Sequence, residues 1–235
     1  MPMKVTFVIP ALNEEANIGQ VVASVLGQSE TAAEIIVVDN GSTDETAKIA
    51  KNLGVKVIEE KEKGISSARN RGAKEALGDV ICFVDADGVL PKNWLMNAER
   101  TLSNPKVDCV SGLIFYSHPN FLKFLWYNSY LLFAYLALFF NYFVLGKSFV
   151  FGNNTAIKKE VFFALGGFEK IVGEDYWFTK KFNKEGYQGR ISLQMPIFYS
   201  SRGFDYAGYF KTLFYWVKAT QQKLSQKGYS YQHKG

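Results

Sequence analysis

The sequence predicts an α/β fold: a mostly parallel sheet flanked by helices, with an apolar helical insert and a C-terminal helical extension. In the first half of the chain, short apolar runs rich in Val and Ile alternate with segments that carry helix signals. Near-continuous apolar strands separated by helices of about 10–13 residues are typical of a parallel sheet covered on both faces. The chain has 235 residues, 48% of them hydrophobic, which is enough for one large domain with its own core.

Strands and helices follow each other in a regular order. The predicted strands are Val5–Ile9, Ile35–Val38, Val55–Ile58, Asp79–Val84 and Val107–Phe115. The predicted helices are Asn17–Leu26, a helix capped by Ser42 or Thr43 that ends at Leu53, Ile65–Leu77, Pro91–Leu102, Lys158–Leu165 and Gly173–Lys184. Parallel sheets bind ligands at the carboxyl ends of their strands. We therefore expect the residues that follow the strands, Pro10, Asp39 and Asp85, to share one edge.

An acidic pair, Asp85 and Asp87, follows the apolar run Val80–Val84. Residues i and i+2 of an extended chain point to the same face, so both carboxylates can converge on one point. Two hard oxygen ligands suit Mg²⁺ or Mn²⁺, which keeps waters and completes its shell with substrate phosphate oxygens. Taken alone, such a pair is common and is more typical of a solvated acidic turn that closes a strand. Its agreement with the other strand-end residues favours the metal site.

Composition restricts the partners and the compartment. The net charge is +5 and the pI is near 9.0, which favours anionic partners. The lysines are dispersed and form no basic face, so we expect no nucleic-acid binding. Cys82 and Cys109 lie inside apolar runs without metal-ligand spacing, as buried reduced thiols do. With no signal-peptide pattern at the N-terminus, the predicted location is the cytoplasm, peripheral to the inner face of the membrane.

The insert contains Phe124–Leu145, 22 residues without a formal charge. Its length is that of a membrane span. A single span would separate Asp85 from the later acidic pair Glu174 and Asp175, and two spans need about 40 residues. Three alternatives remain: an interfacial helix or re-entrant hairpin at a membrane surface, a homodimer contact, or a buried helical pair. The many aromatic residues favour the membrane interface.

Several motifs together resemble those of family 2 glycosyltransferases with the GT-A fold, a Rossmann-like sheet. They are Val8–Glu15, Val37–Asp44, Lys63-Gly64, Ala68–Gly72, Phe83–Asp87, Gly152–Asn154, Gly166–Phe168 and Glu174-Asp175. The likeness spans about residues 4–205. It predicts a domain over residues 1–205 that includes the insert at 120–150, and an aromatic and basic extension over 206–235. Two departures stand out: Asn40 occupies a position that is often acidic in the family, and the insert is large.

The resemblance implies metal-dependent, inverting transfer of a sugar from a nucleotide-diphosphate donor to an acceptor hydroxyl. The acceptor would be a sugar, a lipid-linked compound or an envelope polysaccharide. The implied nucleotide-sugar contacts are Pro10, Ala11, Asn13, Glu14, Asp39, Gly64, Arg69, Asp85, Ala86, Asp87 and Arg202, with Asp85 and Asp87 also holding Mg²⁺ or Mn²⁺. The implied acceptor-side residues are Asn153, Asn154 and Glu174, and the implied catalytic base is Asp175. Because Asp175 opens a helix, the macrodipole is expected to lower its pKa.

Two other classes of enzyme fit less well. A sugar-nucleotide pyrophosphorylase would carry a Gly-rich basic loop after the first strand, and a dinucleotide oxidoreductase would carry G-x-G-x-x-G there. This chain has Pro10–Glu14 at that place. A non-catalytic sugar- or membrane-binding module of the same fold remains an alternative, which the retained acidic residues disfavour.

Overall fold

The computed structural model describes residues 3–200, 218, 221, 224 and 225, with the backbone alone at 130, 133, 134, 137, 224 and 225. Arg202 and most of the predicted extension lie outside these residues. The strands are β1 Val5–Ala11, β2 Glu34–Asp39, β3 Lys56–Glu59, β4 Val80–Val84, β5 Gly88–Val89, β6 Cys109–Ser117, β7 Asn154–Lys158, β8 Ile171–Val172, β9 Gly189–Ser200 and β10 Leu224–Ser225. The helices are α1 Ile18–Leu26, α2 Thr46–Asn52, α3 Ile65–Glu75, α4 Trp94–Leu102, α5 Phe121–Leu145, α6 Lys159–Ala164 and α7 Glu174–Lys184.

Eight strands form one sheet in the order β3-β2-β1-β4-β7-β6-β9-β5. The strands β3, β2, β1 and β4 are mutually parallel, and β6 is parallel to β9. The strand β7 runs antiparallel between β4 and β6, and β5 is antiparallel to β9. The predicted α/β class with a mostly parallel sheet is confirmed. The strands β8 and β10 form a separate antiparallel pair.

Apolar side chains cover both faces of the sheet. One cluster contains Ile18 and Val22 of α1 with Trp94 of α4. The other contains Ala68 of α3, Phe162 of α6 and Phe178 of α7. Burial of such side chains supplies the main favourable free energy of folding. Both cysteines are free and buried, as the sequence predicts.

Several predicted boundaries are wrong. Pro10 and Ala11 belong to β1 and not to the following loop. Neither Ser42 nor Thr43 caps α2, which begins at Thr46. Asp44 instead accepts hydrogen bonds from the backbone nitrogen and the hydroxyl of Thr46. The residues before α2 therefore stabilise the loop between β2 and α2 and do not cap the helix.

The insert is one continuous helix, so the hairpin and the buried helical pair are wrong. One side of α5 packs along β6 beyond the point where β7 ends. Tyr135 Oη lies 2.6 Å from the Ile114 nitrogen and 2.5 Å from its carbonyl oxygen. Asn128 bonds both backbone groups of Tyr116 in the same way. The two side chains thus satisfy an otherwise open strand edge.

The other side of α5 is exposed and apolar. Its exposed large side chains are Phe121, Leu122, Leu125, Trp126, Leu132, Leu136, Phe140, Phe143, Val144 and Leu145. Most are three or four residues apart, so they form a stripe along the helix, which we call the α5 stripe. Among the described residues, no helix combines the length and hydropathy needed to cross a membrane.

Candidate active site

The carboxyl ends of β2 and β4 lie on either side of β1. Ala11 is in register with Asp39, and Val8 is in register with Phe83, two residues before Asp85. Neighbouring strands are about 4.8 Å apart, so Asp39 and Asp85 are separated by about 10 Å across β1. A nucleoside diphosphate can bridge such a span. The structure therefore brings these two predicted residues to one edge.

The loops beyond β1 and β2 fasten each other. The backbone nitrogen of Asn13 donates to Ser42 Oγ at 3.0 Å, and Asn13 Oδ1 accepts from the nitrogen of Thr43 at 2.9 Å. Asp39 Oδ1 accepts from the nitrogen of Ser42 at 3.1 Å. Glu14 is buried, and Oε2 of its carboxylate accepts from the side chain of Asn17. These hydrogen bonds fix the conformation of the two loops that follow β1 and β2.

Asn40 positions the loop that carries Gly64. Its Nδ2 donates to the carbonyl oxygens of Glu60 and Glu62, both at 2.8 Å. Its Oδ1 accepts from the nitrogen of Gly64 at 2.8 Å. The side chain is buried. An acidic residue could not donate either of the first two bonds, which explains the amide at this position.

Asp85 and Asp87 face Tyr199 of β9. Burial raises the pKa of Tyr199, and the negative charges of Asp85 and Asp87 raise it further. Tyr199 Oη donates to the carbonyl oxygen of Asn153 at 2.7 Å. Asp87 also borders a cleft of about 330 Å³ that reaches Ser117 and Ser200.

The donor set suits a divalent cation that is shared with a substrate. In the described part of the chain, no three His, Cys, Asp or Glu side chains gather around one point that could hold a metal. Asp85 and Asp87 could supply two carboxylates to such a cation. Mg²⁺ is commonly held by one or two carboxylates together with waters and substrate phosphates. Asp85 and Asp87 fit that pattern, with Asp85 already engaged by Arg69.

Arg69 of α3 lies between two acidic side chains. Its Nη2 is 2.6 Å from Asp85 Oδ1, and its Nη1 bonds Glu174 Oε1. The arginine is only 3% exposed. Asp85 and Glu174 hold its pKa above the usual range despite burial. Burial raises the pKa of Glu174 to about 7, against the opposing effect of Arg69.

Asp175 is the second residue of α7 and lies beside this pair. Its Oδ2 accepts from the nitrogen of Gly152 at 3.4 Å, and its Oδ1 accepts from that of Tyr176 at 2.8 Å. Burial raises its pKa and outweighs both Arg69 and these bonds. The expected lowering by the helix macrodipole is wrong, because desolvation opposes the charged form more strongly here. A raised pKa makes a carboxylate a stronger base.

The two predicted acceptor-side asparagines differ in burial. Asn154 is 0% exposed, with Oδ1 accepting from Trp94 Nε1 and Nδ2 donating to the carbonyl oxygens of Leu113 and Met195. All of its polar atoms are engaged inside the protein, so it is a structural link and not an acceptor contact. Asn153 is half-buried.

The comparisons with known proteins place the chain in a family. Residues 6–166 match the family described as glycosyl transferase family 2. The chain belongs to this family. Glycosyltransferase AglE of Haloferax volcanii is 34% identical over 125 residues, which are 49% of this chain and 41% of AglE. The 4,4'-diaponeurosporenoate glycosyltransferase of Staphylococcus aureus is 40% identical over 88 residues, which are 35% of this chain and 23% of that protein. The chain thus matches less than half the length of either relative.

A solved structure supports the fold. The mannosyltransferase PcManGT from Pyrobaculum calidifontis, in complex with GDP-Man and Mn²⁺, has a TM-score of 0.64 at 23% identity, and the match covers 84% of this chain and 57% of that one. The sheet and its helices are those of the GT-A fold.

The family match contains Asp39, Asp85 and Asp87 but ends before Glu174 and Asp175. Tyr199 is not predicted as a site residue from the sequence, because it follows a long stretch without an acidic or basic motif. The packing role of Gly152 is not predicted either. A Cβ at Gly152 would lie 2.6 Å from Arg69 Nη1, so the close approach of the guanidinium requires glycine.

A larger cleft, of about 570 Å³, lies at the opposite edge of the sheet beside Asp79 and Lys159. None of the motif residues lines it. The candidate active site is therefore the carboxyl edge.

Proposed function

We propose that this chain is a glycosyltransferase that moves a sugar from a nucleoside diphosphate to an acceptor hydroxyl with inversion. The observation that supports this most strongly is that Asp85, Arg69 and Glu174 are joined at one edge of the sheet, with Asp175 beside them. These residues are distant in sequence, and three elements deliver them to one point. The family membership and the fold agree with this proposal.

The donor would lie across the end of β1. Asp39 would accept hydrogen bonds from the base, with Pro10, Ala11, Asn13, Glu14 and Gly64 forming the surrounding wall. Asp85 and Asp87 would hold Mg²⁺ or Mn²⁺, and PcManGT was solved with Mn²⁺ and a nucleotide-sugar. When bound, such a cation neutralises charge on the departing diphosphate. Ala86 is buried and would shape the turn between the two carboxylates.

Asp175 would accept the proton of the acceptor hydroxyl. As the acceptor oxygen bonds the anomeric carbon, the bond from that carbon to the diphosphate oxygen breaks, and its electron pair leaves with the diphosphate. Attack from the face opposite the diphosphate inverts the anomeric configuration. The raised pKa of Asp175 brings its basicity closer to what proton transfer at neutral pH requires. Asn153 and Glu174 would border the acceptor.

The acceptor would be lipid-linked and presented at a membrane surface that the α5 stripe contacts. The cleft beside Asp87 reaches Ser117 at the end of β6. The helix α5 begins four residues later and runs antiparallel to β6, because Asn128 bonds Tyr116 and Tyr135 bonds Ile114. The stripe therefore starts close to the cleft. Lys123 and Lys147 are exposed at its two ends, where they can meet anionic headgroups.

The test uses nucleotide binding and turnover together. Thermal shifts with UDP, GDP and dTDP, each with and without Mn²⁺, identify the nucleotide, since a ligand that binds the folded state stabilises it by an amount that grows with the logarithm of the ligand concentration relative to Kd. We expect the largest shift to need Mn²⁺ and to be lost in Asp87→Asn. Asp175→Asn should keep that shift but lower turnover of the matching nucleotide-sugar about 100-fold or more.

Asp79→Asn is the matched control, because Asp79 is exposed at the opposite end of β4. It should change neither reading. Equal shifts with and without Mn²⁺ would remove the metal role from Asp87. Unchanged turnover in Asp175→Asn would remove the base, and nucleotide binding without any turnover would favour a binding module.

A further inference from the structure

The guanidinium of Arg69 connects two parts of the candidate active site: the proposed cation ligands and the proposed base. Its two terminal nitrogens bond Asp85, which follows β4, and Glu174, which opens α7. The side chain of Glu174 is followed directly by that of Asp175. The cation side and the base side of the site are thus joined through one guanidinium.

The guanidinium is enclosed on its other sides. Its central carbon lies 5.7 Å from the centre of the Phe168 ring. Gly152 approaches so closely that a side chain there would collide with Nη1. The backbone nitrogen of the same Gly152 donates to Asp175. The base is therefore held by Gly152 and by the start of α7, and Arg69 contacts both.

This arrangement is unsuited to the contact with the nucleotide-sugar that the family resemblance implies for Arg69. A contact to a diphosphate needs an accessible guanidinium, whereas Arg69 is 3% exposed. Reaching a phosphate would break two charge-assisted bonds, to Asp85 and Glu174. Removing the arginine from a buried carboxylate leaves that charge without a partner, which is strongly unfavourable.

We propose that Arg69 is a positioning residue that fixes Asp175 relative to the Asp85–Asp87 pair and does not bind the donor. This inference rests on the proposed function. In this role, Arg69 holds Asp175 where it can accept the proton of the acceptor hydroxyl. Its loss lowers turnover and leaves the affinity for the nucleotide largely intact.

Arg69→Lys tests the inference, because lysine keeps the charge but cannot bond both carboxylates through a planar fork. We expect kcat to fall about 100-fold, the effect of a misplacement of about 1 Å in a catalytic group. The dissociation constant for the nucleoside diphosphate with Mn²⁺ should stay within about threefold of that of the unsubstituted protein. The variant displaces the catalytic base, which acts in the transition state, and leaves the contacts that bind the nucleotide in the ground state. Arg71→Lys is the matched control on the same helix, where the arginine pairs with Glu75 on the surface. It should leave both quantities unchanged.

A double-variant cycle separates positioning from general damage. If Arg69 acts through Asp175, Arg69→Lys should cause little further loss in an Asp175→Asn background, because coupled residues are not additive. Additive losses would overturn the inference. A tenfold or greater loss of nucleotide affinity in Arg69→Lys would also overturn it, as would unchanged kcat in a folded variant.

Gly152→Ala serves where Arg69→Lys does not fold. It keeps all charges and displaces the guanidinium, so it should lower kcat with the same retained nucleotide affinity. Unchanged kcat in this variant would count against the inference. These outcomes are read against an active unsubstituted protein, so an inactive one refutes the proposed function and not the role of Arg69.

Discussion

At the scale of single residues, Asn40 shows how an apparent departure from the family pattern acquires a structural reason. Its amide donates to two backbone carbonyl oxygens and accepts from the nitrogen of Gly64. All three bonds lie in the loop that leads to α3 and Arg69. The amide of Asn40 therefore fixes the conformation of the loop that leads to the candidate active site.

We predict that Asn40→Asp destabilises the protein by about 1–3 kcal/mol, because the carbonyl oxygens of Glu60 and Glu62 lose their partly buried donor and face a carboxylate. Urea unfolding measures the change. Asn104→Asp is the matched control. The side chain of Asn104 is exposed and accepts one bond from the nitrogen of Lys106, which a carboxylate accepts equally well. Equal stability of the two variants would contradict the role given to Asn40.

We also predict a rise of kcat/KM with pH that is governed by Asp175. The base must be ionised, and burial raises its pKa above the ordinary value of about 4. Activity should therefore be lost as the pH falls through a value higher than 4 and should level off above it. A pH–rate profile measures this limb. The residual activity of Asp175→Asn should lack it, and a profile that is flat down to pH 4 would refute the assignment.

The sequence predicts the positions of Asp39, Asp85 and Asp87 because each follows a strand whose apolar run is unmistakable. It does not predict where Arg69 lies. Whether an arginine on a helix faces solvent, phosphate or a carboxylate depends on residues about 100 positions away, here Glu174. The same holds for the burial of Asn154 under Trp94.

At the scale of elements, β7 and β9 are not predicted from the sequence. The segment of β7 is short, and β9 contains polar residues and Pro196, which is uncommon inside a strand. Both strands are defined by distant partners. The pairing of β6 with β9 shifts register near Gly112, where a Cβ would lie 1.7 Å from the carbonyl oxygen of Met195. Such an irregularity has no local signature.

The hydroxyl of Tyr135 replaces the missing strand partner at Ile114. We predict that Tyr135→Phe lowers the free energy of unfolding by about 1–3 kcal/mol, because a backbone donor and acceptor lose their partner. Chemical denaturation measures the loss. Tyr142→Phe is the matched control, since within the described part of the chain the hydroxyl of Tyr142 has one long contact, of 3.5 Å, to the exposed Arg190. A similar loss in both variants would mean that the bonds to Ile114 contribute nothing specific.

At the scale of the whole molecule, the candidate active site and the start of the α5 stripe lie at the same edge of the sheet. The site lies at the carboxyl edge of the sheet, and α5 starts at that edge and runs along the flank. A helix of 25 residues is about 37 Å long. Large exposed apolar patches on folded domains commonly mark contact sites, and we propose that the α5 stripe is one. Lysines at both ends and the net charge of +5 favour an anionic lipid surface over a second copy of the same chain.

We therefore predict that the protein co-sediments with vesicles that contain anionic phospholipid, and that Leu132→Glu combined with Leu136→Glu weakens this binding about tenfold or more. Both side chains are more than half exposed, at 59% and 58%, and burying each in lipid contributes about 1.5–3 kcal/mol. Leu77→Glu is the matched control, because Leu77 is 78% exposed and follows α3, away from the stripe. Added salt should weaken the binding of the unsubstituted protein, since the lysines act through screened charge. If the double variant sediments with vesicles as before, the stripe does not contact the membrane. If it instead changes from dimer to monomer in size-exclusion chromatography, the stripe joins two copies of the chain.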